Sequence, residues 1–168
     1  INQPIKLNTF RVPTENDKAQ ESNWETLGLR SLTMTSGKWE VDKDSLSQWV
    51  QLSITDTYKT STSALTFTVS KQFRVFPDGT ISVSTVTTPS SEGHILPKLG
   101  FRFEMHRTAE NITWLGRGPF DSYRDRNYAA LSGIYHSTAT EQWTNHIRPQ
   151  ETGNKEDVRW LAVTTSTG

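Results

Sequence analysis

Cysteine is absent from the 168 residues, which excludes disulfide staples, thiolate nucleophiles and cysteine zinc sites and leaves the redox compartment open. Net charge is absent as well: 18 Lys and Arg balance 18 Asp and Glu, with no basic stripe of the kind that binds nucleic acid. No apolar run approaches the roughly 18–20 residues of a membrane-spanning helix. The opening Ile1-Asn2-Gln3-Pro4 lacks the charged-then-apolar order of a signal peptide. Neither a nucleic-acid nor a membrane partner is therefore expected, and the compartment is not determined. Paired metal-ligand spacing is also missing. His94, His106, His136 and His146 form no HExxH and no two- or four-residue spacing, so no metal site is expected. There is no GxSxG nucleophile elbow, no initiating Met, and no punctuation at Thr164-Thr165-Ser166-Thr167-Gly168. Such ends resemble those of a segment cut from a longer polypeptide, and the length suits a single domain over 1–168.

Helical periodicity is scarce, whereas alternation with a period of two recurs. Leu65, Phe67, Val69, Phe73 and Val75 interleave with Thr66, Thr68, Ser70, Gln72 and Arg74, which predicts a strand with one dry and one wet face. Pro77-Asp78-Gly79 supplies a turn, and Ile81 and Val83 begin the return strand. That hairpin places both apolar rows on one side, so a second layer is needed to cover them. Val50, Leu52 and Ile54 alternate in the same way, as do Leu99, Phe101, Phe103 and Met105, and shorter strands are expected over Arg30–Thr35 and Trp39–Asp42. Ser84–Gly93 reads as a loop, and Gly116–Ala130 as an irregular stretch suited to a site on a rigid scaffold. The class is all-β, an antiparallel β-sandwich.

Chemistry-bearing groups are few. Retaining glycoside hydrolysis needs two carboxyl groups about 5–5.5 Å apart, and the candidate pairs are Asp121 with Asp125 and Glu151 with Asp157. The competing reading, preferred here, has these carboxylates accepting backbone N–H groups or pairing with Arg126 and Arg159 to fix loops. Trp24, Trp39, Trp49, Trp114, Trp143 and Trp160 could stack on sugar rings, although most Trp side chains pack in cores and sheets. Gly116 and Gly118 flank Arg117, a spacing that permits unusual backbone angles and close approach. It lacks the third glycine and the helix of a dinucleotide site.

Trp114-Leu115-Gly116-Arg117-Gly118-Pro119-Phe120-Asp121-Ser122-Tyr123-Arg124-Asp125-Arg126 closely resembles the WYGRGPxExYxDR signature in the C-terminal domain of glycoside hydrolase family 2 β-galactosidases. Asn8-Thr9-Phe10-Arg11-Val12-Pro13-Thr14-Glu15-Asn16-Asp17 is similar to that family's FWRAPTDND opening. Arg148-Pro149-Gln150-Glu151-Thr152-Gly153-Asn154-Lys155-Glu156-Asp157-Val158-Arg159-Trp160 is similar to its PQExGNxxDVRW block, and Leu96-Pro97-Lys98-Leu99-Gly100 to its LPRxG. Val12, Glu15, Asp121 and the pair Asn145-His146 depart from the usual residues.

The resemblance implies the N-terminal portion of a large galactose-mutarotase-like sandwich, truncated at its C-terminus, in an enzyme that hydrolyses terminal non-reducing β-D-galactosides with retention. It implies that both catalytic glutamates lie on a preceding TIM barrel, the partner in the same parent chain, and that the substrate is met only through the intact enzyme. No catalytic residue is then expected here, nor any residue in the role of the family's late pocket Trp. Asn16 and Asp17, with a short loop at Lys18–Asn23, are the candidates beside the pocket. Trp114, Gly116, Gly118, Pro119, Tyr123, Asp125, Arg126, Glu151 and Arg159 are expected to be structural. No cofactor is expected in this stretch, and a need for magnesium or sodium would lie with the parent. The rival reading is a carbohydrate-binding module. Uncovered apolar surface on a truncated sandwich favours self-association of the fragment.

Overall fold

A computed structural model describes residues 4–46, 48–148 and 150–165. Residues 1–3 and 166–168 of the two ends, and Pro149 of the third sequence block, lie outside the described residues. The chain divides into two compact units, one of Leu7–Arg11 with Lys18–Phe101, the other of Ile1–Lys6, Val12–Asp17 and Arg102–Gly168.

The unit built on Lys18–Phe101 holds an antiparallel sheet ordered β2 (Leu32–Ser36), β4 (Val50–Thr60), β5 (Thr66–Val75), β6 (Ile81–Pro89). The long β4 is shared along one edge: β2 pairs with its Asp56–Thr60 half, and β3 (Glu40–Lys43) with Val50–Ser53. The predicted hairpin is present, with Phe73 opposite Val83 and Val75 opposite Ile81. Gly79 adopts φ 86°, Asp78 accepts the Thr80 N–H at 2.8 Å, and Phe76 N–H donates to the Thr80 carbonyl at 2.9 Å.

On one face of this sheet Tyr58, Phe67 and Val69 are buried together with Leu7, Trp24, Leu29 and Leu65. Each large apolar side chain so buried contributes roughly 1.5–3 kcal/mol. Trp24 fixes its ring by donating Nε1–H to the Ile95 carbonyl at 3.1 Å, with the Arg11 guanidinium 5.7 Å from its centroid.

Two expectations in this unit are corrected. Lys18–Asn23 is not a short loop but the start of a helix, α1 (Lys18–Leu27). Its Lys, Ala, Gln, Glu and Leu are good helix formers, but it buries only Trp24, so its apolar stripe is too narrow to register as a period. It ends at Gly28, whose φ of 70° lets Leu29 N–H return to the Trp24 carbonyl at 3.2 Å. Ser84–Gly93 is not wholly a loop either, because β6 runs on through Pro89. Its Thr and Val residues suit a strand, and Pro89 is tolerated because β6 is an edge strand.

The unit containing Arg102–Gly168 holds a three-stranded antiparallel sheet ordered β10 (Trp160–Thr164), β8 (Asn111–Gly118), β9 (Leu131–Thr138). The strand expected over Leu99–Met105 is only three residues long, β7 (Gly100–Arg102), paired with β1 (Lys6–Asn8). Phe103 and Met105 keep the alternation but pair with no strand among the described residues and are exposed. The all-β antiparallel class read from the sequence is the class observed, in open sheets rather than a closed barrel.

Candidate functional site

The second sequence block begins on β8, where space is the controlling quantity. A Cβ on Gly118 would lie 2.7 Å from the Tyr135 ring and 2.9 Å from Trp114, and one on Gly116 would lie 2.9 Å from the Val158 backbone. Neither glycine has positive φ. Their requirement is therefore close approach, not unusual backbone angles. Trp114 is buried, stacks at 5.4 Å on Tyr135, and donates Nε1–H to the Arg117 carbonyl at 3.0 Å. The Gly118–Pro119 peptide is cis.

Between the glycines, Arg117 ties the second block to the third. Its Nε lies 2.6 Å from Asp157 Oδ2, and its Nη1 donates to the carbonyls of Asn127 at 3.1 Å and Ala130 at 3.0 Å. Its own N–H donates to the Glu156 carbonyl. Ser122, fully buried, completes the lacing. Its N–H donates to the Asn154 carbonyl at 2.8 Å, its Oγ accepts the Glu156 N–H at 2.9 Å, and its carbonyl accepts Asn154 Nδ2–H at 2.7 Å. Asn127 Nδ2 donates to Glu156 Oε2 at 3.0 Å. Sequence reasoning missed Arg117, Ser122, Asn127 and Asn154 as organising residues. The available signal was an Arg trapped between two glycines.

The end of the opening block meets the same region. Val12 N–H donates to Glu151 Oε2 at 3.0 Å, and Asn16 Nδ2 donates to Asp125 Oδ2. Glu15 pairs with Arg148 at 2.9 Å, but both side chains are more than half exposed, so solvent screening leaves that contact little weight. Asp17 is turned into its own loop, accepting the Thr14 N–H at 2.7 Å and Thr14 Oγ1–H at 2.8 Å. Thus Asn16 is joined to the second block while Asp17 braces the turn that presents it.

The sequence candidates are each accounted for. Asp121 pairs with Arg126 at 3.0 Å and lies 3.7 Å from His146 Nε2. Arg126 covers the Tyr123 ring at 4.6 Å. Arg159 donates its N–H to the Leu115 carbonyl at 2.8 Å, and its exposed guanidinium makes no ion pair among the described residues. Trp24 and Trp114 are buried, Trp49 is half-buried under Arg74, and Trp39, Trp143 and Trp160 are exposed. Among the described residues no cluster of three His, Asp or Glu is placed to hold a metal ion.

Two groups here titrate unusually. Burial, followed by the Glu151 and Asp121 carboxylates, raises the Tyr123 phenol above its ordinary value of 10.0, against smaller opposing effects of the Asn154 N–H and Arg126. Burial lowers Lys155, whose ammonium sits 5.4 Å from the Trp114 ring centroid. A raised Tyr123 pKa means the folded state holds that proton more tightly. Its contribution to stability is full below about pH 10 and is lost as pH rises through the folded pKa. Tyr123→Phe is expected to flatten the alkaline decline in stability above about pH 10, while altering stability at neutral pH by about 1 kcal/mol or less. Urea midpoints of wild type and variant, compared at neutral pH and at about pH 11, check both halves.

A family model described as beta galactosidase small chain matches residues 1–168. A β-galactosidase of Actinobacillus pleuropneumoniae is 29% identical over 161 residues, 96% of this chain and 16% of that protein. A β-galactosidase of Priestia megaterium is 35% identical over 96 residues, 57% of this chain and 9% of that protein. A β-galactosidase of Kluyveromyces lactis is 24% identical over 156 residues, 92% of this chain and 15% of that protein. The chain therefore spans less than a fifth of the length of the curated relatives it matches.

Proposed function

Because this chain belongs to the β-galactosidase small-chain family, we propose that it is a non-catalytic accessory domain, or the N-terminal portion of one, in a longer retaining β-galactosidase. The parent hydrolyses terminal non-reducing β-D-galactosides with two glutamates on a TIM barrel, and this domain supports one wall of the pocket. The supporting observation is the use to which each candidate carboxylate is put. Asp121 holds Arg126, Asp125 takes Asn16, Asp157 takes Arg117, and Glu151 caps the Val12 N–H. A nucleophile and a general acid about 5–5.5 Å apart must face substrate, whereas Asp125, Asp157 and Glu151 join the three sequence blocks and Asp121 pairs within the second.

On this reading Asn16, exposed on the turn Thr14–Asp17, is the contact toward the pocket. The purified 168-residue chain is expected to give no hydrolysis of a chromogenic β-galactoside above buffer. In the full polypeptide Asn16→Ala is expected to lower kcat/KM by up to about 100-fold, the scale on which misplaced positioning groups act. Turnover by the isolated chain, with contamination excluded, would remove the accessory-domain reading. The exposed Trp143 and Trp160 support the rival reading of a carbohydrate-binding module. Saturable binding of galactose or lactose tighter than millimolar to the isolated chain would favour that reading, and flat titration heats would dispose of it.

A further inference from the structure

Beside the turn that presents Asn16 lies a depression of about 710 Å³, lined by Glu15, Asn145, His146, Ile147, Arg148 and Gln150. All six belong to the unit containing Arg102–Gly168, and the volume falls within the roughly 300–1,000 Å³ of small-molecule sites. His146 is the inward residue of its segment. Its Nε2 is buried, lies 3.7 Å from Asp121 Oδ2 and has no hydrogen-bond partner among the described residues. Its neighbours Asn145 and Ile147 are exposed, Ile147 completely.

The polar groups of this lining are not committed to the fold. The Asn145 and Gln150 side chains make no hydrogen bond among the described residues. Glu15 and Arg148 meet each other at 2.9 Å with both side chains more than half exposed, so a ligand hydroxyl can take the place of either partner at little cost. The carboxylate and the guanidinium cancel in charge, which selects neither an anion nor a cation. Two carboxamides supply donors and acceptors together, and the two charged groups strengthen hydrogen bonds to hydroxyls. With Ile147 as an apolar contact for ring C–H groups, the set fits a neutral polyhydroxylated ring.

We propose that this depression is the leaving-group subsite of the parent enzyme, taking the sugar that departs from galactose, with Arg148 and Glu15 as its specificity-determining residues. The inference rests on the reading above that Asn16 faces the galactoside pocket. Glu15 is the adjacent residue, and the step between neighbouring Cα atoms, about 3.8 Å, is shorter than a sugar ring. A sugar joined to a galactose beside Asn16 therefore falls against Glu15 and its partner Arg148.

Retaining hydrolysis loses the leaving group as the galactosyl-enzyme forms, and water releases galactose afterwards. Contacts to a leaving sugar therefore act on the first step, which kcat/KM reports. In the full polypeptide Arg148→Ala is expected to lower the ratio of kcat/KM for lactose to kcat/KM for a nitrophenyl β-galactoside by about 10-fold, the weight of one hydrogen bond to a charged group. The nitrophenyl leaving group carries no sugar hydroxyls, and the ratio does not depend on the fraction of enzyme that is folded. Arg148→Lys is expected to lower the ratio less, because the charge remains without the planar fork. Glu15→Gln, which keeps the size of the side chain and removes its charge, is expected to shift the ratio in the same direction and decides the matter if Arg148→Ala yields no active enzyme. A ratio unchanged in both Arg148→Ala and Glu15→Gln, whether or not turnover of the two substrates falls equally, overturns the proposal. Asn16→Ala separates the two failures. If it lowers kcat/KM for both substrates while the other variants leave the ratio alone, only the subsite fails; if it alters neither substrate, the pocket-wall reading fails.

Discussion

Asp56→Ala is expected to leave the 168-residue chain largely unfolded, with a loss of about 3–5 kcal/mol, because it strands a cation inside the sheet core. Asp56 Oδ2 lies 2.6 Å from Lys71 Nζ, with side-chain exposures of 2% and 5%. The ammonium lies 3.4 Å from the Tyr58 hydroxyl, and 5.8 Å from the centroid of its ring. Around the pair stand Ile54, opposite Lys71, and Val69, opposite Asp56. Asp56 Oδ1 is buried without a hydrogen-bond partner among the described residues. Desolvation therefore weighs heavily on both ions, and their close pairing is the largest contact that the loss of either one forfeits.

The consequence is asymmetric. Removing either partner forfeits a large share of the roughly 5–15 kcal/mol that stabilises a domain, yet replacing both with apolar groups of similar volume is often neutral or stabilising. Lys71→Met alone should behave like Asp56→Ala, and the double variant Asp56→Leu with Lys71→Met should recover wild-type stability or exceed it. Urea midpoints over the double-mutant cycle measure the coupling directly. Single variants that each cost under about 1 kcal/mol would show that the pair is solvated in solution.

Arg117→Ala is the next most damaging change, expected to cost about 3 kcal/mol, consistent with the 1.5–3 kcal/mol scale of charge-assisted hydrogen bonds. Little of this comes from Asp157, whose side chain is 54% exposed and whose pairing is screened by water. The weight lies in the two carbonyls, Asn127 and Ala130, that the guanidinium gathers. Ala130 is fully buried, so its oxygen cannot turn to solvent without opening the loop. Arg117→Lys keeps the charge but not the planar fork, and should restore less than half of the loss. Asp157→Ala should cost about 1 kcal/mol or less, as exposed pairs do. Amide exchange across 119–130 locates the effect: protection there should collapse in Arg117→Ala while β8 and β9 retain theirs. Equal losses for Asp157→Ala and Arg117→Ala would place the energy in the ion pair instead.

The same residues explain how far the chain could be read without a structure. The hairpin of β5 and β6 was legible because its apolar residues alternate and its turn contains Asp78 and Gly79, whose chemistry is local. The three motif blocks were legible as strings of residue types. The helix α1 was not, because a ten-residue helix resting on Trp24 leaves only a faint stripe. The full length of β6 was hidden behind Ser, Thr and Pro residues that are shared by loops and edge strands. Composition cannot tell those apart, since the deciding factor is whether β5 offers a ladder alongside.

At the candidate site, Asn16, Asp125 and Glu151 could be nominated from their blocks. Their partners could not, because each bond joins residues more than a hundred positions apart in sequence. Val12 finds Glu151 and Asn16 finds Asp125 only after the chain has closed the intervening sheets.

Local chemistry by itself determined the strand-forming class, the turn at Pro77-Asp78-Gly79 and the family, since alternation, turn residues and motif strings are properties of neighbours along the chain. Tertiary structure alone decided that Lys71 and Asp56, each a charge at an inward position of an apolar strand, neutralise one another, and that Gly116 and Gly118 serve space and not backbone angle. Those outcomes depend on which distant groups arrive within a few ångströms. Register and packing set those arrivals, and neither is written in any short stretch of residues.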